Sequence, residues 1–378
     1  MTDVIVGIDA EWQTGATENS VLSYQWYGID GDRCWSGIHY PDLSKLEGQK
    51  RLTLAHWVSH TLQDEYKGRP WPQNIVLAIH FSPAELSVIS DFDAIKTRVD
   101  LVQGTSFVTI FNPITKNCYD RSRNAHAVRI HIADTMLLAP DGGKKLDDLG
   151  DILGLEKLDL PADHSKDQMQ RFLKEQPEKF EAYAIRDAEI AARYLERIQK
   201  ECRDLGLTDN YRPITIGGLA VRTFTTRLQQ VGHSYDDIMG MRRGNQRTGV
   251  RRSSSTRAHN NIAAERHEDL AIKCYHGGRN ECFLFGAFDD VFTDYDLEGA
   301  YSTALAAVVE PDYDNMFETT DPDDYTLDRM GYAAVKWKFP ETTRFPCMFH
   351  RDDDGHGLIY VLEGKGFVTS PEIDLARR

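Results

Sequence analysis

The chain lacks several features that would have placed it quickly. Its 378 residues hold only six cysteines, and none forms a Cys-x-x-Cys pair. That spacing speaks against a zinc ribbon and against a disulfide framework, so a reducing, cytoplasmic setting is expected. No run approaches the ~20 apolar residues of a membrane helix, and the start, Met1-Thr-Asp-Val-Ile-Val-Gly, has no basic segment leading into a long apolar core. Neither a membrane protein nor a secreted one is expected. Positive charge is also short: 44 Lys and Arg face 59 Asp and Glu, a formal net charge of −15. Net charge alone speaks against a DNA partner, unless basic groups cluster and carboxylates hold metal ions.

What remains is ordinary for a folded protein. Hydrophobic residues make up 41% and charged residues 27%, and the length suggests two domains. Val4, Val6 and Ile8 alternate with Ile5, Gly7, Asp9 and Glu11, which predicts a strand with two distinct faces. Ser20 to Ile29 reads as a second strand, Asp30-Gly-Asp32 as a turn and Cys34 to Tyr40 as a third strand. Leu54, Val58 and Leu62 mark a helix; Ile75 to Ile79 is a buried strand; Val128, Ile130 and Ile132 alternate as another. Leu146 to Leu153 and Lys179 to Arg203 read as helices. A three-strand meander followed by alternating strands and helices is the order of an α/β, ribonuclease-H-like nuclease.

Residues 206–270 change character. Between Ile238 and Ala264 there is no acidic residue, while Arg242, Arg243, Arg247, Arg251, Arg252 and Arg257 are spread among Gly, Ser, Asn and Thr. The stretch reads either as a solvated connection or as a strap for a phosphate backbone. Beyond Leu270 the chain becomes β-rich, at Asp289 to Tyr295, Tyr332 to Phe339 and Leu358 to Leu362.

Three carboxylate arrangements stand out. Asp9 and Glu11, two apart on a strand, point to the same side, and adjacent like charges favour a cation between them. After the buried strand, His80-Phe81-Ser82-Pro83-Ala84-Glu85 opens a helix, with Ser82 and Pro83 expected as N-cap and first residue and Glu85 in the first turn. Tyr183 and Asp187, four apart, share one helix face that continues through Ile190, Tyr194 and Ile198.

In this order the motifs resemble the 3′–5′ exonuclease domain of family B DNA polymerases, nearest the protein-primed branch of phages, plasmids and mobile elements. Asp134-Thr135-Met136-Leu137-Leu138 and Lys157-Leu158-Asp159-Leu160-Pro161 are similar to segments of that family. The resemblance implies a DEDD exonuclease. Asp9, Glu11, Glu85 and Asp187 would hold two Mg²⁺ or Mn²⁺ ions, and Tyr183 would orient the attacking water. The second motif departs from the family, where Asn and a Phe-Asp pair stand; here His80, Phe81 and Glu85 occupy those places, with Asp91 and Asp93 as alternative ligands.

The resemblance continues. Tyr275-His276-Gly277-Gly278-Arg279 is similar to the Tyr-x-Gly-Gly loop that binds template between the two activities. Asp294-Tyr295-Asp296-Leu297-Glu298-Gly299-Ala300-Tyr301 resembles the first palm motif, which makes Asp296 a metal ligand and Tyr301 the residue that selects the nucleotide sugar. Thr369-Ser370-Pro371-Glu372-Ile373 resembles a later palm segment. The family's fingers motif and its Asp-Thr-Asp strand do not occur, so polymerase activity is not expected from this chain alone.

The expected organisation is therefore an exonuclease domain over 1–205, an arginine-rich connection over 206–270, and an incomplete, β-rich polymerase palm over 271–378. The expected partners are a single-stranded DNA 3′ end and primer-template, and a second chain carrying the missing motifs. Two other readings stay open. One is a non-catalytic DNA-binding subunit that completes a polymerase; the other is a ribonuclease of the same fold.

Overall fold

The computed structural model describes residues 3–14, 20–44, 49–96, 101–103, 107–109, 112–208, 211–234, 241–244, 256–259, 262–308, 312, 315–351 and 357–378. The chain divides into two compact units, Met1–Gly232 and His233–Arg378.

The first unit is built on a six-stranded sheet in the order β3-β2-β1-β4-β8-β7. Strands β1 (Val4–Gln13), β2 (Ser20–Asp30) and β3 (Arg33–His39) form the antiparallel meander. Strands β4 (Asn74–Ile79) and β8 (Ala125–Asp134) add in parallel, and β7 (Ile114–Tyr119) closes the far edge antiparallel. A short ribbon of β5 (Leu101–Gln103) and β6 (Phe107–Thr109) stands apart from this sheet. This is the ribonuclease-H-like arrangement expected from the sequence.

Helix α1 (Leu54–Leu62) covers one face. Its Leu54, Trp57, Val58 and Leu62 share one apolar core with Val4, Val6, Ile8 and Ala10 of β1. The other face carries α7 (Pro177–Asp204), whose Ile190, Ala191, Tyr194, Leu195 and Ile198 meet Ile5, Val76 and Ala78. Both faces of β1 and β4 are thus covered, which explains the near-continuous apolar runs of these strands. Five shorter helices precede α7 along the chain: α2 (Ser82–Ser87), α3 (Phe92–Lys96), α4 (Thr135–Leu138), α5 (Leu146–Leu153) and α6 (Met169–Glu175).

The approach of α7 to β1 depends on Gly7. A Cβ at this position would run into the Ala188 carbonyl oxygen and stand 2.9 Å from the Ala192 Cβ. Glycine against alanine lets the helix backbone lie on the strand. The residues next along the same face of β1 are Asp9 and Glu11, so this contact sets their distance from α7.

The expected connection over 206–270 is more structured than its composition suggests. Helix α8 (Ile216–Gln230) starts at Thr215, whose hydroxyl accepts from the Gly218 N–H, and buries Leu219 in the core beneath α7. It belongs to the first unit. Arg242 and Arg243 lie on β9 (Met241–Gly244), paired with β10 (Thr256–His259); Arg251 and Arg252 lie outside the described residues.

The second unit continues with α9 (Ile262–Cys274) and α10 (Ala300–Ala306). Two antiparallel strand pairs, β11 (Tyr332–Lys338) with β14 (Glu363–Thr369) and, between them in the chain, β12 (Phe349–Arg351) with β13 (Leu358–Tyr360), pack with α11 (Ser370–Arg377) around Ala333, Met348, Phe349, Val368 and Ile373. The strand expected at Asp289 to Tyr295 is not formed. This stretch is exposed and has no regular structure, because among the described residues no neighbouring strand pairs with it.

The helix–strand contact yields a paired prediction. Gly7→Ala is expected to destabilise the protein by about 1–3 kcal/mol, an overpacking effect. Gly217→Ala, where nothing lies near the added methyl, is expected to be neutral or stabilising by up to ~1 kcal/mol. Urea denaturation of both variants checks the opposite signs; equal effects would refute the close-packing account.

Candidate active site

Two elements supply the acidic centre. On β1, Asp9 and Glu11 follow Ile5 and Gly7 along the face covered by α7. On α7, Tyr183 and Asp187 share the inward face, each 7% exposed. The helix opens with Pro177 in its first turn, where a missing N–H leaves no bond unmade. One carboxylate oxygen from each of Asp9, Glu11 and Asp187 lies within 4.8 Å of the other two.

Glu85 reaches the same centre from the end of β4. The parallel pairing of β1 with β4 stops at Ile8 and Ile79, so the Ala10 N–H has passed the last rung. The Glu85 carboxylate, 4% exposed, accepts from it instead. The helix that carries Glu85 begins at Ser82, one residue before the expected start, and its N-cap is Phe81 in a left-handed conformation with φ of 65°. Such a conformation is strained for a bulky residue. It is held by Asp134, whose carboxylate accepts from the N–H groups of Phe81 (3.2 Å), Ser82 (2.8 Å) and Met136 (3.0 Å). Asp134 therefore shapes the turn that delivers Glu85. Asp91, the alternative ligand, is committed elsewhere: it accepts from the Leu54 N–H at 2.8 Å and pairs with Lys116 at 2.7 Å.

Four acids so close together oppose ionisation. Burial, then Asp187, pushes the Asp9 carboxyl up to about 8. Burial, then Asp9, raises Glu11 and Glu85 well above the usual carboxylate range. Burial also raises Asp187, against the pull of Lys157. The Tyr183 phenol is raised by burial and by Glu11 and Asp187, so it keeps its proton.

Besides the Ala10 N–H on Glu85 and a weaker pull from Lys166 on Glu11 and Asp187, two side chains touch these acids and moderate the repulsion, and neither contact is legible in the sequence. The Lys157 ammonium pairs with Asp187 Oδ2 and stands 5.0 Å from the centre of the Tyr183 ring. It sits in the Lys157–Pro161 segment noted above, but a single lysine in a loop carries no sign that it folds onto a helix carboxylate. Gln25 Nε2 donates to Asp9 Oδ2 at 2.5 Å; a lone Gln within a strand gives no such signal either.

The donor set is all oxygen. Buried Asp187 Oδ1 and Glu85 Oε2 have no hydrogen-bond partner. Carboxylates with unmatched lone pairs and no His or Cys fit hard divalent ions such as Mg²⁺ or Mn²⁺. A second group, Asp163, His164 and Glu175, is different in kind. Arg171 bonds Glu175 at 2.9 Å, and His164 Nδ1 lies 3.0 Å from Asp163, so its carboxylates already have partners.

The remaining expected residues lie outside this centre. His80 is partly buried, its Nδ1 3.0 Å from the Thr135 hydroxyl, and burial lowers its pKa. In the second unit, Tyr275 is exposed and its carbonyl accepts from Arg351 at 2.5 Å. Gly277 and Gly278 follow, and a Cβ on Gly278 would stand 3.3 Å from the Tyr301 hydroxyl, so the loop and the palm tyrosine are neighbours. Arg279 is engaged within the unit: it pairs with Glu281, donates to the Pro346 carbonyl at 2.9 Å and lies 4.1 Å from the Tyr360 ring centre. Asp296 is exposed in the irregular stretch and joins no three-residue ligand cluster among the described residues.

Comparison with known proteins places these observations in context. No family model matches the chain. The primer-independent DNA polymerase PolB of Escherichia coli is 33% identical over 397 residues, covering 98% of this chain and 45% of that protein. The chain thus spans less than half the length of this curated relative. Phi29 DNA polymerase complexed with primer-template DNA and incoming nucleotide substrates superposes over 100% of this chain and 58% of that one, with a TM-score of 0.52 and 13% identity. Its post-translocation binary complex with primer-template DNA covers 99% and 58%, with a TM-score of 0.50 and 12% identity. These structural likenesses report a shared fold. Among the described residues, no helix is long and apolar enough to cross a membrane.

The charge crowding predicts how stability responds to pH. A carboxyl whose pKa is higher folded than unfolded binds more protons in the folded state, so stability falls as pH rises between the two values. For Asp9 that window runs from the ordinary 3.8 to about 8. With chelator present, the melting temperature is expected to fall from pH 5 to pH 8. Added Mn²⁺ is expected to raise it, most strongly at pH 8. Scanning calorimetry across this range tests the sign; a metal-free melting temperature that climbs with pH would contradict it.

Proposed function

We propose that the chain is the N-terminal part of a family B DNA polymerase, a reading supported by its similarity to PolB of Escherichia coli, and that its first unit is a 3′–5′ exonuclease of the DEDD type. It would act on DNA, as the proofreading part of such a polymerase. The observation that carries this reading is the convergence of Asp9, Glu11 and Asp187 within 4.8 Å, with Glu85 and Tyr183 beside them. The solved relatives are DNA complexes, which supports a DNA 3′ end as substrate; nothing in the comparisons speaks for a separate partner chain.

Asp9, Glu11, Asp187 and Glu85 would hold Mg²⁺ or Mn²⁺, and these ions, when bound, would supply Lewis-acid activation and neutralise charge at the scissile phosphate. The chain's own groups do the rest. Asp9, close to both Glu11 and Asp187, offers two oxygens to different neighbours. Tyr183, kept neutral, can donate a hydrogen bond that orients the attacking water. Lys157, paired with Asp187, places a positive charge where negative charge develops during cleavage. In the second unit, the Tyr275–Gly278 loop and Tyr301 would track template and primer, with Asp296 as a palm carboxylate. The partners of Arg279 favour a role in holding that loop.

Stepwise shortening of 5′-labelled single-stranded DNA with Mg²⁺ or Mn²⁺ tests the assignment. Asp9→Ala combined with Glu11→Ala should reduce cleavage to background while the fold survives. Glu85→Gln should slow it by roughly 10–100-fold, the usual effect of disturbing a metal environment. Asp91→Asn, at a carboxylate that serves α1 and Lys116, should leave the rate near that of the parent. Undiminished cleavage by the double variant would sink the proposal.

The arginine-rich stretch can be tested separately. Replacing Arg242, Arg243, Arg251 and Arg252 with Gln should weaken DNA binding evenly across sequences. For every arginine that neutralises a phosphate, its removal should flatten the slope of log K against log salt by about 0.7–0.9. An unchanged slope would make this stretch a solvated connection.

A further inference from the structure

We propose that Gln25, locked in place by Ser23, is the positioning residue that holds Asp9 ready for a divalent ion. The inference rests on the exonuclease reading of the same site and extends it to β2, a strand that contributes no acid to the centre.

The argument starts from register. Strand β2 runs antiparallel to β1, with Gln25 opposite Asp9 and Ser23 opposite Glu11. Cross-strand partners put their side chains on the same face of a sheet. On the face toward α1, β2 presents Val21, Tyr24 and Trp26 to the apolar core. On the face toward α7 it presents Ser23, Gln25 and Tyr27 in succession. Ser23 and Gln25 are both 0% exposed. Apolar side chains could fill this space without the penalty of burying polar groups, so two fully buried polar residues need a partner that justifies them.

That partner is Asp9. The Ser23 hydroxyl donates to Gln25 Oε1 at 3.0 Å, and Gln25 Nε2 donates to Asp9 Oδ2 at 2.5 Å. The order is directional. A cation binds the ionised carboxylate, which only accepts, so in that form the amide turns its NH₂ toward Asp9, as found here; the flipped amide would set its carbonyl oxygen against the carboxylate. Ser23 completes the arrangement by donating to the oxygen left behind. The bond to Oδ2 from an uncharged donor restrains the Asp9 carboxylate, which in turn lies within reach of Glu11 and Asp187 for a shared cation. A lysine here would compete with the ion for the carboxylate. The amide restrains Asp9 and leaves its charge available.

The test is Mn²⁺ binding to the metal-free protein by isothermal titration calorimetry, with DNA cleavage measured in parallel. Gln25→Leu keeps the volume and removes the donor; Ser23→Ala keeps the donor and removes its lock. Gln25→Leu should weaken Mn²⁺ binding by roughly 10–100-fold, the range for partners that orient a ligand, and Ser23→Ala by less. The Mn²⁺ concentration for half-maximal cleavage should rise in both, and the rate at saturating Mn²⁺ should recover. A purely structural role would lower the melting temperature without this split. Parent-like Mn²⁺ affinity in both variants would overturn the proposal. Should Gln25→Leu fail to fold, unchanged affinity in Ser23→Ala alone would do so. A parent protein that binds Mn²⁺ with these differences yet leaves DNA intact would instead overturn the exonuclease reading.

Discussion

The contact of Gly7 with Ala188 and Ala192 governs the geometry of the first unit. Small residues on both sides let a 28-residue helix lie directly on the central strand. Three of the acids, Asp9, Glu11 and Asp187, are placed from this contact. Asp187 precedes Ala188 on the helix, and Asp9 lies two residues beyond Gly7 on the strand. A larger residue at position 7 would lift the helix and separate the two carboxylates that must meet.

The same closeness generates the main tension in the molecule. Asp9, Glu11, Glu85 and Asp187 are gathered where burial and mutual repulsion both resist ionisation. The surroundings offer partial relief: an ammonium on Asp187, an amide on Asp9 and a strand N–H on Glu85. Lys157, with a weaker pull from Lys166 on Glu11 and Asp187, is not enough to neutralise four acids. Such a site is most stable with cations bound or with protons taken up, and this links its pH response to its chemistry.

The second unit shows the opposite balance. Its core is small, and Phe285, Val291, Tyr295 and Tyr301 are exposed. The loop from Tyr275 to Arg279 is nevertheless well anchored. His276 Nε2 lies 2.7 Å from Glu372, Arg351 bonds the Tyr275 carbonyl, and Arg279 stacks near Tyr360. A glycine-bearing loop held by its neighbours can present its backbone in one conformation.

Much of the fold was legible in the sequence because strand and helix periodicities are local. The meander, the buried strand at Ile75–Ile79 and the long helix through Tyr183 and Asp187 follow from which positions are apolar. The pairs Asp9 with Glu11 and Tyr183 with Asp187 were equally legible, since two-residue and four-residue spacings put side chains on one face. The start of α2 falls one residue earlier than its sequence suggests, because Asp134, more than fifty positions away, holds Phe81 in a conformation that local preference opposes. A strand at Asp289–Tyr295 was expected from composition, but strands need partners, and none pairs there among the described residues. The contacts of Lys157 and Gln25 could not be read, although the Lys157–Pro161 segment stood out by resemblance, because each acts on a carboxylate brought to it only by folding. Local patterning was enough to specify the elements and the acids they carry. Which acids meet, which proton or cation each one needs, and which neutral neighbour holds it still were settled by the packing of α7, β2 and the Lys157 loop around β1, because those are distances between residues far apart along the chain.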